Sequence, residues 1–300
     1  MTDYTTGLDV SKWQGAVSYR GVDVDWVVAK ATHGESGVDS MFARNRSEIR
    51  DAGLSFGAYH WFLPSHDPTK QAQHFVSTVG ELTDKDIGLA IDVEDASGRT
   101  GAQILDALLI HVREVIRLTG RRPLIYTADW FWAQHIGLDS AELAACPLWV
   151  AQYPSTQPDR RTFRQAVADL KGSPRIPLPW ARRGILETAW QFDGDGGLRL
   201  ASGVDVDVNR MRGSVSRLVE STRVDGPWTE GFCSDPERMQ RALVALGYDV
   251  GGIDGVVGAK TQAAIARYCE ANELLPHEYM DHLNVRHVMQ VGRRLAENIA

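Results

Sequence analysis

The chain of 300 residues is poor in cysteine, has no long apolar run and carries no excess of positive charge. Its three cysteines, Cys146, Cys233 and Cys269, are too few for a disulfide scaffold and lack metal-binding spacing, although a bridge between Cys233 and Cys269 stays open. No segment reaches the length of about 18 apolar residues that a membrane-spanning helix needs, so no membrane insertion is expected. The 32 basic and 39 acidic residues give a formal net charge of −7, which disfavours nucleic acid and anionic membranes as partners.

Sequence signals for metal binding and secretion are also missing. The nine histidines include no His-Glu-x-x-His pair or comparable spacing, so neither a metal nor another cofactor is expected. Residues 1–6 contain neither a basic segment nor an apolar one, which predicts that the chain has no signal peptide. With 43% hydrophobic and 24% charged residues, the composition is that of a folded protein and excludes a largely disordered one.

The first two thirds of the sequence alternate between strand-like and helical patterns. The clearest helix is predicted over residues 101–119, with a capping box formed by Thr100 and Gln103 and a closing glycine at Gly120. This alternation is typical of an α/β fold, either a barrel or a doubly wound sheet. The eight strand-like runs are Gly7–Val10, Trp26–Thr32, Phe56–Leu63, Gly88–Glu94, Leu124–Thr127, Leu148–Tyr153, Thr188–Phe192 and Val204–Val208.

The strand pattern stops after Met211. Residues 214–233 have the composition of a linker, and residues 234–300 show helical patterning that predicts a small all-α domain. Asp235 and Pro236 form a typical helix start, and a glycine-rich turn over residues 251–258 separates two apolar helical stripes. The sequence therefore predicts a large α/β domain over residues 1–213 and a second, helical domain at its C-terminal side.

Acidic residues occur near the ends of three predicted strands. In the run Gly88–Glu94 the bulky residues face one way, whereas Asp92 and Glu94 share the opposite face with small residues. Asp9 and Asp207 stand in the same way opposite aliphatic neighbours. In a barrel these carboxylates would meet at one end, where their repulsion and burial would keep one of them protonated for general-acid catalysis. A solvated strand face is the structural alternative.

Eight short motifs, in the right order, make residues 7–211 resemble glycoside hydrolase family 25, the N-acetylmuramidase lysozymes. The Asp-x-Glu at 92–94 is the most specific of them, whereas His33 departs from many relatives, which carry glutamate there. The motifs are GLDVSKWQ at 7–14, AKAT at 29–32, GAYH at 57–60, IDVE at 91–94, LIYT at 124–127, LWVAQY at 148–153, WQ at 190–191 and VDVN at 206–209.

The resemblance implies an irregular TIM-like barrel of eight strands with about five helices. It also implies hydrolysis of the β-1,4 bond between N-acetylmuramic acid and N-acetylglucosamine. Glu94 would be the general acid, and Asp92 would orient the N-acetyl group of the substrate or stabilise positive charge on the sugar; direct nucleophilic attack and substrate assistance both stay open. Asp9 and Asp207 match the other acidic positions of the groove. Four aromatic residues would line it or, alternatively, belong to the barrel core: Tyr59, Tyr126, Trp149 and Tyr153.

Residues 235–275 resemble the helical peptidoglycan-binding domain that is often fused to cell-wall hydrolases, on motifs that include MQRAL at 239–243 and IDG at 253–255. The resemblance therefore implies a catalytic barrel over residues 1–213, a linker over 214–233 and a wall-binding domain over 234–300, with bacterial peptidoglycan as partner. A phage endolysin or a bacterial autolysin is expected, and an endolysin would pass from the host cytoplasm to the wall. The alternatives are an inactive wall-binding protein and a peptidoglycan amidase.

Overall fold

The computed structural model describes residues 4–154, 162–194, 197–224, 236–272 and 274. Within these ranges nine strands form one sheet, and the pairing of its first and second strands closes eight of them into a barrel. The strands are β1 (Tyr4–Val10), β2 (Trp26–His33), β3 (Gly37–Val38), β4 (Ser55–Trp61), β5 (Gly88–Asp92), β6 (Leu124–Thr127), β7 (Leu148–Ala151), β8 (Ala189–Asp193) and β9 (Asp207–Arg212).

The barrel is irregular because one of its strands is antiparallel to both of its neighbours. Strand β9 pairs antiparallel with both β1 and β8, whereas the other barrel pairings are parallel, and β3 is a short hairpin arm on β2 outside the closed ring. The predicted class, an irregular eight-stranded α/β barrel, is confirmed. The predicted last strand, Val204–Val208, was wrong in position, because residues 197–206 form a turn in which Arg199 bridges Asp205 and the strand begins only at Asp207.

The long helices pack outside the barrel, and α3 has the predicted bounds and caps. The linker prediction is wrong for residues 215–222, because this segment forms a helix in which Leu218 and Val219 are buried. Leu218 packs with the barrel residues Trp26 and Trp149. The helices are α1 (Phe42–Asp51), α2 (Pro68–Val79), α3 (Gly101–Thr119), α4 (Asp129–Phe131), α5 (Ala141–Ala144), α6 (Phe163–Asp169), α7 (Leu178–Ala181), α8 (Val215–Thr222), α9 (Pro236–Ala245) and α10 (Ala259–Ala271), with a 3-10 turn at Lys12–Gln14 and a π-helical turn at Trp132–Ile136.

Large aromatic side chains fill part of the barrel interior. Trp26 and Trp149 meet edge to face, with ring centroids 6.4 Å apart, and both are buried. The absence of a side chain at Gly7 leaves space for the Trp26 ring, since a Cβ on Gly7 would lie 2.1 Å from that ring. These two rings, which we call the barrel plug, are packed with other buried residues inside the barrel. In barrels of this kind, functional sites form where the parallel strands end at their carboxyl termini.

The small C-terminal helical domain is built around α9 and α10. Met239, Leu243 and Tyr268 are buried between the helices, and the side-chain oxygen of Gln240 accepts the backbone N–H groups of Asp254 and Gly255 in the connecting turn. Cys233 and the segment 276–300 lie outside the described residues, so a bridge between Cys233 and Cys269 stays a hypothesis. Among the described helices, none is both long and apolar enough to cross a membrane.

Candidate active site

A cavity of about 700 Å³ opens at the carboxyl ends of the parallel barrel strands. It is lined by all eight residues that the sequence singled out, four acidic and four aromatic, which come from six different strands or the residues just beyond them. These residues are Asp9, Asp92, Glu94, Asp207, Tyr59, Tyr126, Trp149 and Tyr153.

Asp9 is held at the bottom of this cavity by two amide side chains. Its Oδ2 accepts hydrogen bonds from Gln191 Nε2 at 3.0 Å and from Asn209 Nδ2 at 2.7 Å. All three residues are buried. Burial raises the pKa of Asp9, and the two amide hydrogen bonds oppose that rise because they favour the carboxylate.

The same two amides also connect Asp9 to the aromatic residues of the cavity. Gln191 Oε1 accepts from the Tyr126 hydroxyl at 2.9 Å and from the Tyr153 hydroxyl at 3.1 Å, while Asn209 Oδ1 accepts from Trp149 Nε1 at 2.8 Å. Both amides therefore have a fixed orientation, with their oxygens toward aromatic donors and their nitrogens toward Asp9.

The four aromatic residues differ in how much of each ring is open to a ligand. Trp149 is 2% exposed and belongs to the barrel plug, which fits the barrel-core alternative for that residue. Tyr59 and Tyr126 are half-buried, whereas Tyr153 is 47% exposed at the mouth of the cavity. Of the four rings, that of Tyr153 is the most accessible to a sugar.

Asp92 and Glu94 form an acidic pair at the end of β5. Asp92 is the last residue of the strand and is buried, whereas Glu94 lies two residues further on and is half-buried. Burial and then repulsion from Glu94 raise the pKa of Asp92 well above its ordinary value, and burial also raises that of Glu94. Both carboxyl groups therefore hold a proton more tightly than isolated carboxyl groups do.

Lys30 supplies the positive charge that faces this pair. Its ammonium lies 4.3 Å from the ring centroid of Trp61 and 5.6 Å from that of Tyr59, on the wall of the same cavity. Burial lowers the pKa of Lys30, and attraction by Asp92 counteracts this effect. In return, the ammonium lowers the pKa of both Asp92 and Glu94.

Asp207 lies next to Asp9, because the two residues are paired in the β1–β9 ladder. Both line the same cavity as Asp92 and Glu94. Gly194 follows β8 immediately next to Asp207, and a Cβ on Gly194 would lie 2.8 Å from Asp207 Oδ1 and 2.6 Å from the Tyr153 hydroxyl. Only a glycine fits there without displacing one of these two side chains.

Sequence reasoning assigned no role to Gln191, Asn209 or Lys30. All three stood inside the quoted motifs, Gln191 after Trp190, Asn209 after Val208 and Lys30 after Ala29. The sequence signal for a functional role was that each of these polar residues stands next to apolar residues in a predicted strand. It does not show which carboxylate each residue would contact.

Together these contacts define a cavity with several carboxyl groups, two of which have raised pKa values, and with aromatic walls, which is the combination that general-acid cleavage of a glycosidic bond uses. The family model "Glycosyl hydrolases family 25" matches residues 8–196, and the model of a peptidoglycan binding domain matches residues 234–276. The chain belongs to glycosyl hydrolase family 25.

Relatives in bacteria span different parts of the chain. The YegX protein of Escherichia coli K12 is 32% identical over 161 residues, which cover 51% of this chain and 58% of YegX, so the chain spans less than two thirds of that relative. The autolytic lysozyme of Clostridium acetobutylicum is 29% identical over 245 residues, 76% of this chain and 71% of that protein. The crystal structure of a bacterial lysozyme from Streptomyces coelicolor aligns with a TM-score of 0.60 at 25% identity, covering 74% of this chain and 98% of that one.

Proposed function

We propose that this protein is a peptidoglycan hydrolase that cleaves the β-1,4 bond between N-acetylmuramic acid and N-acetylglucosamine. The observation that carries the proposal is the Asp92–Glu94 pair, which has a raised proton affinity and lines the open cavity of a family 25 barrel. A lysozyme from Clostridium acetobutylicum and one from Streptomyces coelicolor are among its relatives, which supports the same chemistry.

Glu94 is the general acid in this proposal. It is the more exposed member of the pair, and burial raises its pKa, which favours the protonated form that a general acid needs. Asp92 lies deeper and orients the N-acetyl group of the substrate or stabilises positive charge on the sugar. Asp9 and Asp207 place two further carboxyl groups on the opposite wall, where negative charge would favour an oxocarbenium-like transition state over the neutral substrate.

Digestion of purified peptidoglycan, followed by mass analysis of the products, tests the proposal. New reducing ends on muramic acid are expected. Products cut at the peptide stem would instead indicate an amidase, and wall that is bound but left intact would indicate a binding protein.

The Glu94→Gln variant tests the role of the acid. It should lose about a thousandfold or more in turnover, because an amide cannot deliver the proton, while its Tm does not fall and its retention on the wall stays unchanged. Glu81→Gln makes the same substitution at an exposed position outside the cavity and should keep full activity. Undiminished lysis by Glu94→Gln would refute the role of Glu94.

We also propose that the C-terminal domain holds the enzyme on bacterial peptidoglycan, in an endolysin or an autolysin. The match of residues 234–276 to a peptidoglycan binding domain supports this role, and so does the autolytic lysozyme among the relatives. Immunodetection in wall and cytoplasmic fractions of producing cells, before and after lysis begins, tests it. Protein that stays in the cytoplasmic fraction after lysis would contradict it.

A further inference from the structure

The catalytic cavity contains a second pair of acidic residues, Asp9 and Asp207, on neighbouring strands. The two residues are directly paired in the antiparallel β1–β9 ladder, so their side chains lie side by side on one face of the sheet. Their side chains are also joined by a hydrogen bond. Two ionised carboxylates have no hydrogen atom to share, so this bond requires a proton on one of the two residues.

The hydrogen bonds around Asp9 favour negative charge on that residue. Its Oδ2 accepts two side-chain N–H groups, from Asn209 at 2.7 Å and from Gln191 at 3.0 Å. The orientation of Asn209 is unambiguous, because the indole N–H of Trp149 can only donate and lies 2.8 Å from the amide oxygen. The amino group of Asn209 therefore has to face Asp9.

These donors identify which member of the pair carries the proton. Burial raises the pKa of Asp9, and the hydrogen bonds from Asn209, Gln191 and Asp207 counteract this rise. Each of these bonds is strongest when Asp9 is ionised, because a carboxylate accepts hydrogen bonds better than a carboxyl group does. The proton is therefore expected on Asp207, which is half-buried and donates to Asp9.

The two cations that line the cavity are matched with other carboxyl groups. Arg199 Nε lies 2.5 Å from Asp205 Oδ1, and the Lys30 ammonium lowers the pKa of both Asp92 and Glu94. This arrangement favours retention of a proton by the second acidic pair, since two adjacent negative charges repel each other. The other titratable groups that line the cavity are Tyr59, Tyr126 and Tyr153.

We infer that Asp9 and Asp207 share one proton, and that Gln191 and Asn209 are positioning residues that place the negative charge on Asp9 and the proton on Asp207. The two strands then present one carboxylate and one neutral carboxyl group to the substrate, instead of two negative charges. The consequence for catalysis rests on the proposed function: Asp9 is the member of this pair that stabilises positive charge on the sugar.

Carbon-13 NMR titration of the carboxyl groups in the wild-type protein tests the shared proton directly. The pair should keep one proton to at least about one pH unit above the ordinary aspartate pKa of about 3.9. Over that range the chemical shifts should show a protonated Asp207 and an ionised Asp9. Two separate ionisations near the ordinary value, or a proton on Asp9, would overturn the inference.

The Gln191→Met variant tests the role of the amides, because it removes one N–H donor from Asp9 at nearly unchanged side-chain volume. Gln191 lines the open cavity, so water can replace it as acceptor for the tyrosine hydroxyls. The proton should move toward Asp9, whose carboxyl shift at about pH 5 then changes toward the protonated form. A titration of the pair identical to that of the wild type would overturn the role of Gln191.

Gln73→Met is the matched control. Gln73 also donates from its amide to a carboxylate, Glu114 at 2.9 Å, but it lies on the exposed surface of α2 and does not line the cavity. The same substitution there should leave the titration of Asp9 and Asp207 unchanged. A shift as large as that in Gln191→Met would show a general effect of the substitution and would overturn the role of the amide.

The assignment of the charge also predicts unequal losses of activity at about pH 5. Asp9→Asn removes the charge and should lower kcat/KM at least about tenfold more than Asp207→Asn, in which the new amide still offers a neutral N–H donor to Asp9. Equal losses, or a larger loss for Asp207→Asn, would overturn the assignment. Failure of the wild-type protein to release muramic acid reducing ends from peptidoglycan would instead refute the proposed function, and the NMR titration would still decide whether the proton is shared.

Discussion

Asp92 places a carboxyl group where ionisation is unfavourable, because it is buried and faces Glu94 and Asp9. Its pKa in the folded protein is raised above the unfolded value of about 3.9. The folded state therefore binds the proton more tightly than the unfolded state does, and stability falls as pH rises from about 4 through the raised pKa. The acidic site thus lowers the stability of the fold at neutral pH.

The Asp92→Asn variant should accordingly be more stable than the wild type at neutral pH, by about 1 kcal/mol, while losing activity. The gain should shrink toward about pH 4, where the wild-type carboxyl is protonated as well. Thermal unfolding across this pH range measures the difference in Tm. Asp51→Asn, at an exposed carboxylate on α1, should show no comparable gain. An Asp92→Asn protein no more stable than the wild type at neutral pH would contradict the prediction.

Lys30 controls the proton affinity of the same pair in the opposite direction. Its ammonium lowers the pKa of Asp92 and Glu94, so Lys30→Met should raise both values. Both limbs of the bell-shaped profile of kcat/KM against pH should then move to higher pH, the acidic limb by about one unit. Lys30→Arg keeps the charge and should leave the limbs near their original positions. A uniform loss of activity without displacement of either limb would exclude this electrostatic role.

At the scale of the elements, the barrel depends on a close fit between its first two strands. Gly7 on β1 is paired with Trp26 on β2, and the Trp26 ring occupies the space where a side chain on residue 7 would be. Gly7→Ala should therefore destabilise the protein by about 1–3 kcal/mol through overpacking. Gly252→Ala, in an exposed turn where the nearest atom to an added Cβ is Asp254 Oδ2 at 3.7 Å, should be close to neutral. Denaturant unfolding of both variants checks this, and equal midpoints would contradict it.

The strands and the acidic face of β5 could be predicted because alternation of side chains along a strand is a local property. The true position of the last strand, Asp207–Arg212 and not Val204–Val208, could not be predicted, because it depends on the antiparallel pairing of Asp207 with Asp9. The amides that hold Asp9 were equally out of reach, as Gln191 and Asn209 lie 182 and 200 residues away from it in sequence. Helix α8 was assigned to the linker because the sequence does not show which surface its apolar residues would pack against. In the structure Leu218 packs against residues of the closed barrel.

At the scale of the whole molecule, the barrel and the C-terminal domain are in contact. Gly184 follows α7, and a Cβ there would lie 2.4 Å from Ile265 Cδ1 and 2.9 Å from Val257 Cγ1 of the helical domain. Since α8 ends at Thr222 and the Val224 N–H donates to the Gly120 carbonyl, the barrel is complete by residue 224. A chain truncated after residue 224 therefore keeps the whole barrel, and comparing it with the full protein shows what the helical domain contributes to activity.

A chain that ends at residue 224 should hydrolyse soluble glycan fragments as fast as the full protein does. On intact, insoluble cell walls it should lose about tenfold or more, because the helical domain raises the effective concentration of the barrel at the wall. Product release from both substrates measures the two rates, and Tm shows whether loss of the contacts at Gly184 weakens the barrel. An equal loss on both substrates with a lowered Tm would mean that the helical domain acts through the stability of the barrel, and equal rates on both would remove its proposed role in wall retention.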